Sequence, residues 1–354
     1  MRKPLLLAIA AIIIYNVNAQ KVDLDRYWYS TSSRSLPTNP LPEGSRTYRI
    51  EVTNSSIISG IYSNEGLKSA LGIDGLKNTE PKAHLNVSLF FSDLNFEKTG
   101  VNERKEEIKD KAGKVTGQKS YYSAWGHYRF GIDVYVKDSN LGVLDHFQPV
   151  STGNLLTYTS SEYGSQAEAA NYFNNNIGEI KRNLAKSNTD NALVTIKNSL
   201  KTKYGYPVTT YRDFLWILDS KKHDEYKQHQ EMWELFKSIT VKFNGAENVS
   251  ESLKTELNPV MEYFTSLRTK YASDDKSDKK FRHCSYYTMA KIYLLLDNPE
   301  AALKEADLLV TNGFDVKDAD LLKRDANSLI DRFKKNGVNS THFPIDISVN
   351  NAPR

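Results

Sequence analysis

The sequence predicts an α+β multidomain protein, with an N-terminal antiparallel β-sandwich followed by an α-helical bundle of stacked helical hairpins. Two different periods predict it. Through most of the first half, apolar and polar residues alternate, as on half-buried strands. From Ser165 onward the apolar residues recur every three to four positions, the spacing of amphipathic helices. The chain has 354 residues, 39% of them hydrophobic and 25% charged, which suffices for two domains with cores of their own. The expected division is residues 1–19, a β-rich domain at 20–164, a helical domain at 165–340 and a C-terminal tail at 341–354.

Residues 1–19 read as a secretory signal peptide. Arg2 and Lys3 form a basic start, Leu5 to Ile14 is an unbroken apolar run, and Val17-Asn18-Ala19 supplies compact residues where a signal peptidase cuts. The run is short for a membrane span. No cysteine stands at the cleavage site, so the pattern is not that of a lipoprotein. Export to the periplasm or outer cell surface is expected, with no transmembrane segment in the mature chain. Cleavage would remove Arg2 and Lys3 and lower the formal net charge from +4 to +2, which gives no electrostatic case for nucleic acid. The single cysteine, Cys284, has no partner for an internal disulfide and reads as a small buried hydrophobe.

The strands follow in order. Tyr48, Ile50 and Val52 alternate with polar residues, as do Leu85, Val87, Leu89 and Phe91. A third alternation runs through Tyr128, Phe130, Ile132, Val134 and Val136 and predicts one continuous strand. "DKAGK" (Asp110 to Lys114) and "DSNLG" (Asp138 to Gly142) read as hairpin turns. Pro37, Pro40 and Pro42 cannot donate ladder hydrogen bonds, so their segment belongs on an edge or the outside. The mixed-sign stretch from Glu97 to Lys119 carries seven basic and five acidic side chains, the composition of a solvated edge.

Seven helical stripes follow. They run through Ala170–Leu184, Leu193–Leu200, Tyr226–Phe236, Leu253–Leu267, Tyr286–Tyr293, Ala302–Leu309 and Leu322–Phe333. Asn298 can cap the sixth, with Pro299 in its first turn and Gly313 ending it. In "SYYTMAKIYLLLDNPEAALKEADLLVTNG", Tyr286, Met289, Ala290 and Tyr293 sit at i, i+3, i+4 and i+7, and Ala302 and Ala306 face back. This stretch resembles a tetratricopeptide repeat. Met289-Ala290 stand at that family's Leu-Gly, Tyr293 at its tyrosine and Ala302 at its alanine; Leu309 replaces a small residue, and no proline closes the unit. The resemblance implies a tetratricopeptide-like helical domain with one well-matched repeat, in which these six residues hold the stack together. The mature chain is also similar to secreted Bacteroidota envelope proteins of unassigned function, through "RSLPTNPLP", "KDKAGKVTGQKSYY", "KYGYPV", "LWILDSKKHDEY" and "HFPID".

No G-x-S-x-G, H-E-x-x-H, phosphate-binding glycine loop or Cys/His cluster at metal spacing occurs. No cofactor is implied. The nearest metal pattern is His223, Glu225 and His229, but His229 lies on the apolar stripe with Tyr226 and Trp233 and is expected to make one hydrogen bond at a core edge. Asp274, Asp275 and Asp278 lack the glycine and ligand spacing of a calcium loop and read as a solvated turn. The positive binding signal is aromatic: Tyr27 and Trp28 beside Tyr29, and Tyr121, Tyr122 and Trp125. Exposed aromatics stack on sugars or partner side chains, while buried ones fill the ends of a sandwich. The expected role is a non-enzymatic envelope protein that binds or scaffolds another protein. The alternatives are a glycan-binding accessory protein and a hydrolase with a dispersed site.

Overall fold

The computed structural model describes residues 21–42 and 44–348; the expected signal peptide lies outside the described residues. The elements in chain order begin β1 (Leu24–Arg34), β2 (Thr47–Thr53), α1 (Ser56–Ser59), α2 (Asn64–Ser69), β3 (Lys77–Asn78) and β4 (Leu85–Phe91). Next come β5 (Asn95–Lys109), β6 (Val115–Arg129), β7 (Ile132–Lys137), β8 (Val143–Val150) and β9 (Leu156–Thr159). The remainder is α3 (Gln166–Tyr204), β10 (Val208–Leu218), α4 (Tyr226–Thr240), α5 (Glu251–Lys270), α6 (Lys276–Leu295), α7 (Pro299–Asn312) and α8 (Val316–Asn336). The fold is α+β, with the sheets mainly in the N-terminal half and a helical C-terminal region.

Two compact units divide the chain, and neither is continuous in sequence. One joins the described residues up to Ser33 to Thr210–Asp331; the other joins Arg34–Thr209 to the described residues from Arg332 onward. The change of period near Ser165 is therefore a change of secondary structure and not the boundary between compact units. The reason lies in α3. Its 39 residues form one helix where two stripes were expected, about 58 Å long at 1.5 Å per residue. Its buried stripe packs against strands: Ala169, Phe173 and Ile180 share a cluster with Ala124, while Ala185, Ala192, Ile196, Leu200 and Tyr204 share one with Ile50, Val87 and Val134. Ser165 caps the helix by accepting from Glu168 N at 3.2 Å.

In this unit β3-β2-β4-β7-β8 make a five-stranded sheet and β5-β6-β9 a three-stranded one. The larger sheet is mixed, since β2 pairs in parallel with both β3 and β4, whereas β4/β7 and β7/β8 are antiparallel. Ile58 of α1, Leu67 of α2 and the C-terminal half of α3 contribute to its core, where a sandwich would draw on strands alone. The alternation from Tyr128 to Val136 is split between the sheets at Phe130-Gly131. Gly131 exchanges hydrogen bonds with Ser92, and a Cβ on it would stand 2.2 Å from Thr152 Cγ2, so the crossing requires glycine. The proline segment forms no strand; Thr38 N and Asn39 N donate to Thr202 O and Lys203 O at the end of α3.

Both expected hairpin turns form, β5 to β6 and β7 to β8, and they share one design. The first aspartate, Asp110 or Asp138, accepts from backbone N–H groups two and four residues on, through Oδ1. The fourth residue takes positive φ: Gly113 at 82° in one turn and Leu141 at 64° in the other. A leucine there is strained by about 1–2 kcal/mol, and Leu141 is 60% exposed, so its side chain recovers little. Leu141→Gly is therefore expected to raise stability by about 0.5–1 kcal/mol after the extra chain entropy of glycine. Urea unfolding reads it, and an unchanged or lowered midpoint would count against the strain.

The other unit is built on β1 and β10, which the helical periodicity passes over. They pair antiparallel, with Asp219 N donating to Asp23 O at one end and Ser32 Oγ meeting Thr210 Oγ1 at 2.8 Å toward the other. Helices α4 to α7 each pack against the next in sequence. Their shared core includes Leu215, Ile217, Phe236, Leu257, Phe264, Ile292 and Leu309. Asn298 caps α7 by accepting from Ala301 N at 3.1 Å, Pro299 follows it, and Gly313 closes the helix at φ 67°.

Candidate functional site

Alternation along β6 separates the expected aromatics. Tyr122 exchanges backbone hydrogen bonds with Tyr163 and packs toward the Phe173 cluster. Tyr121 and Trp125 point to the opposite, outer face, with Ser123 between them and roughly 13 Å of strand separating them. Trp125 lies over Gly100, where a Cβ would come within 2.8 Å of the indole, and its ring is 4.7 Å from that of His127. Arg104 stands 4.5 Å from the Tyr121 ring centroid and is forked onto Glu162 at 2.7 and 2.9 Å. Tyr121 is therefore capped by a cation, and Trp125 is the aromatic surface this face offers.

The same period sorts the aromatics of β1. Tyr27 meets Trp233 and Tyr29 meets Phe236, both edge-on in the core of their own unit. Trp28 is 44% exposed. It belongs to a ladder in which Arg212 stacks on Trp28, Trp28 on Phe214, and Arg26 on both Phe214 and Trp216, with separations of 4.7–5.3 Å. Arg26, Arg212, Phe214 and Trp216 were not singled out from sequence. The signal was present as "RDFLW" (Arg212 to Trp216) and "RYW" (Arg26 to Trp28), which only strand pairing brings together.

His223, Glu225 and His229 do assemble, but as a structural hydrogen-bond cluster. The Glu225 carboxylate accepts from Tyr263 Oη at 3.1 Å and Tyr271 Oη at 3.2 Å and pairs with Lys270. His223 Nδ1 accepts from Glu225 N, and His229 Nδ1 faces Tyr263 Oη at 3.2 Å. The Glu225 carboxylate, the one anionic group of the three, is already engaged by a cation and two hydroxyls. Among the described residues no group of three or more His, Cys, Asp or Glu could hold a metal ion. Burial works to raise the Glu225 pKa, but Lys270 and the two hydroxyls outweigh it and hold the carboxyl below its usual value. Burial takes His229 down to about 3, so it is neutral, and its Nε2 is buried without a partner among the described residues. Tyr263, Lys270 and Tyr271 carry this cluster and were not visible in the local pattern.

Asp275 caps α6 by accepting from Asp278 N at 2.9 Å, so the acidic loop is a helix start. Cys284 is fully buried, and burial pushes its thiol pKa up, which makes it unreactive.

Of the repeat-like residues, Ala290, Ala302 and Ala306 are fully buried, and Tyr286 lies beneath the Arg268 guanidinium at 4.4 Å. Met289, buried but for 3% of its surface, and the half-buried Tyr293 pack in the helical core. With Met261, Glu262, Thr265 and Ser266 they line an open groove of about 440 Å³ along α5 and α6. Arg268 of α5 ties the neighbouring helices together: Nε donates to Ser285 Oγ of α6 at 2.8 Å, and the fork reaches both oxygens of Glu305 on α7 at 2.7 and 3.3 Å.

These features define an α+β protein that carries a helical groove, an exposed aromatic face at Trp28 and a half-buried one at Trp125. No helix of the described residues is long and apolar enough to cross a membrane. No family model matches the chain, and no curated protein matches it.

Proposed function

We propose that this is an exported, non-enzymatic cell-envelope protein of the Bacteroidota type whose tetratricopeptide-like helical region binds another protein. The observation that carries the reading is the α5–α6 groove, lined by Met289 and Tyr293 of the repeat-like stretch and by Met261 and Thr265 of the preceding helix. Methionine side chains adapt to a partner surface, and a tyrosine adds amphipathic contact area. Glu262 on the rim gives the groove a polar edge.

A photo-crosslinking residue at Thr265, exposed on α5, tests this in intact cells. One reproducible envelope protein should be captured from Thr265 and not from Val194, which is exposed on α3. Capture from neither, under conditions where a known envelope complex is captured, removes the reading. Trp125 favours a second one, glycan binding by the outer face of the three-stranded sheet. It takes over if Thr265 captures nothing and oligosaccharide quenches tryptophan emission in the native chain but not in Trp125→Phe.

A further inference from the structure

Within the unit Arg34–Thr209 lies a cavity of about 330 Å³, at the lower end of the range occupied by small-molecule sites. Pro40 and Leu41 of the proline segment form one wall, Leu144 of β8 another, and His84, Asp138 and Asn140 supply polar groups. The first wall is held by the hydrogen bonds from Thr38 N and Asn39 N to the end of α3, and its prolines restrict the backbone. The cavity does not involve the groove or the aromatic faces described above.

Its polar groups are locked from behind. Asp138 opens the β7–β8 turn, and its Oδ1 accepts from Asn140 N at 2.8 Å and Gly142 N at 2.9 Å. Its carbonyl accepts from Asn86 Nδ2 at 2.8 Å, and Asn86 Oδ1 in turn accepts from Arg49 Nε. No described residue donates to Asp138 Oδ2, which leaves it as an acceptor of fixed position. The tautomer of His84 follows from Thr47. Thr47 Oγ1 accepts from His84 N at 3.0 Å and lies 2.7 Å from His84 Nδ1, and Thr47 is fully buried. Its hydroxyl proton is satisfied by donating to Nδ1, which places the imidazole proton on Nε2. Burial lowers the His84 pKa, so the ring is neutral at pH 7. The cavity thus combines an N–H donor, a carboxylate acceptor and apolar walls, with one negative charge.

We propose that this cavity binds a neutral polyhydroxylated ligand of monosaccharide size, with Asp138 accepting from and His84 donating to its hydroxyl groups. A free sugar and the end of a glycan chain share this chemistry. The carboxylate disfavours an anionic sugar, and the apolar walls suit the C–H faces of a ring. This inference does not rest on the protein-binding reading.

The test is a saturation-transfer and chemical-shift titration of the full chain with glucose, galactose, mannose and N-acetylglucosamine, and with glucuronate as the charged control. At least one neutral sugar is expected to saturate with a Kd in the range of about 1 mM, and glucuronate to bind about tenfold more weakly or worse. Leu144 is 45% exposed, so Leu144→Trp fills the cavity without entering the core and should weaken binding at least about tenfold. Asp138→Asn keeps the Oδ1 turn bonds while replacing the free acceptor with a donor. It should weaken sugar binding and abolish the discrimination against glucuronate. Trp125→Ala should change nothing here. An oligomer that binds as well as its monomer identifies a chain end, and one that is excluded identifies the free sugar. The proposal is overturned if no neutral sugar saturates, if glucuronate binds as well as the neutral sugars, or if Leu144→Trp leaves the affinity unchanged.

Discussion

Arg268→Ala should lower the unfolding free energy by about 3–5 kcal/mol, the range for removing one partner of a buried ion pair. The Arg268 and Glu305 side chains are only 18% and 10% exposed, and the pair joins α5 to α7 across Ser285 of α6. Without the guanidinium, Glu305 faces a low-dielectric site with no compensating charge. Burial already raises its pKa, against the opposing effect of Arg268, and the substitution removes that opposition. A carboxyl with a raised folded-state pKa contributes most at low pH and loses that contribution as pH rises through the folded value. The deficit relative to the parent chain should therefore narrow between pH 7 and pH 5. Glu305→Gln in the Arg268→Ala background should restore at least about 1 kcal/mol by replacing the unpaired charge with a neutral amide. Guanidinium unfolding of the three chains reads both effects. A single substitution that loses under about 1 kcal/mol would mean the clasp is solvated and dispensable.

Acid should destabilise the protein well before its carboxylates titrate. His229 is fully buried beside Phe264 and Tyr263, and burial takes its pKa from 6.5 to about 3. The unfolded chain protonates this imidazole below about pH 6.5, while the folded chain does not do so until about pH 3. Its stabilising contribution is thus full above pH 6.5 and falls by about 1.4 kcal/mol per pH unit below it. Between pH 7 and pH 5 the loss from this residue is about 2 kcal/mol. His223, also lowered chiefly by burial, adds in the same direction. His229→Gln preserves a polar partner for Tyr263 and cannot titrate. It should reduce stability at pH 7 yet lose about 2 kcal/mol less than the parent on going to pH 5. Urea midpoints at the two pH values decide it: parallel losses in parent and variant would show that His229 already exchanges protons with solvent.

Much of the local structure was legible in the residues. β4 falls on the alternation of Leu85 to Phe91, both aspartate-led turns form, and Asn298, Pro299 and Gly313 bound α7 as expected. These features depend on neighbours a few positions away, and periodicity and capping chemistry report those neighbours directly. Leu141 shows the limit of this. The residue at the positive-φ position of its turn is the wrong type, and the flanking Asp138 and the strand pairing impose the conformation nonetheless. The candidate surfaces were half legible. Trp28 and Trp125 could be named, but which of their aromatic neighbours shared an exposed face depended on strand pairing. In the same way, the groove at Met289 needed Met261 and Thr265 from the preceding helix.

By itself the sequence determined the two periods, the turns and the caps, because each is encoded within one element. Only the tertiary structure decided what α3 packs against, since an amphipathic stripe specifies that a face is buried and not whether a sheet or a helix covers it. It likewise decided that the described residues up to Ser33 belong with the helices, because the pairing of β1 with β10 joins segments nearly 200 positions apart, as the 197-residue separation of Asp23 and Ser220 at its end shows. Backbone hydrogen bonds of that kind carry no side-chain signature, so no pattern within either segment announces its partner.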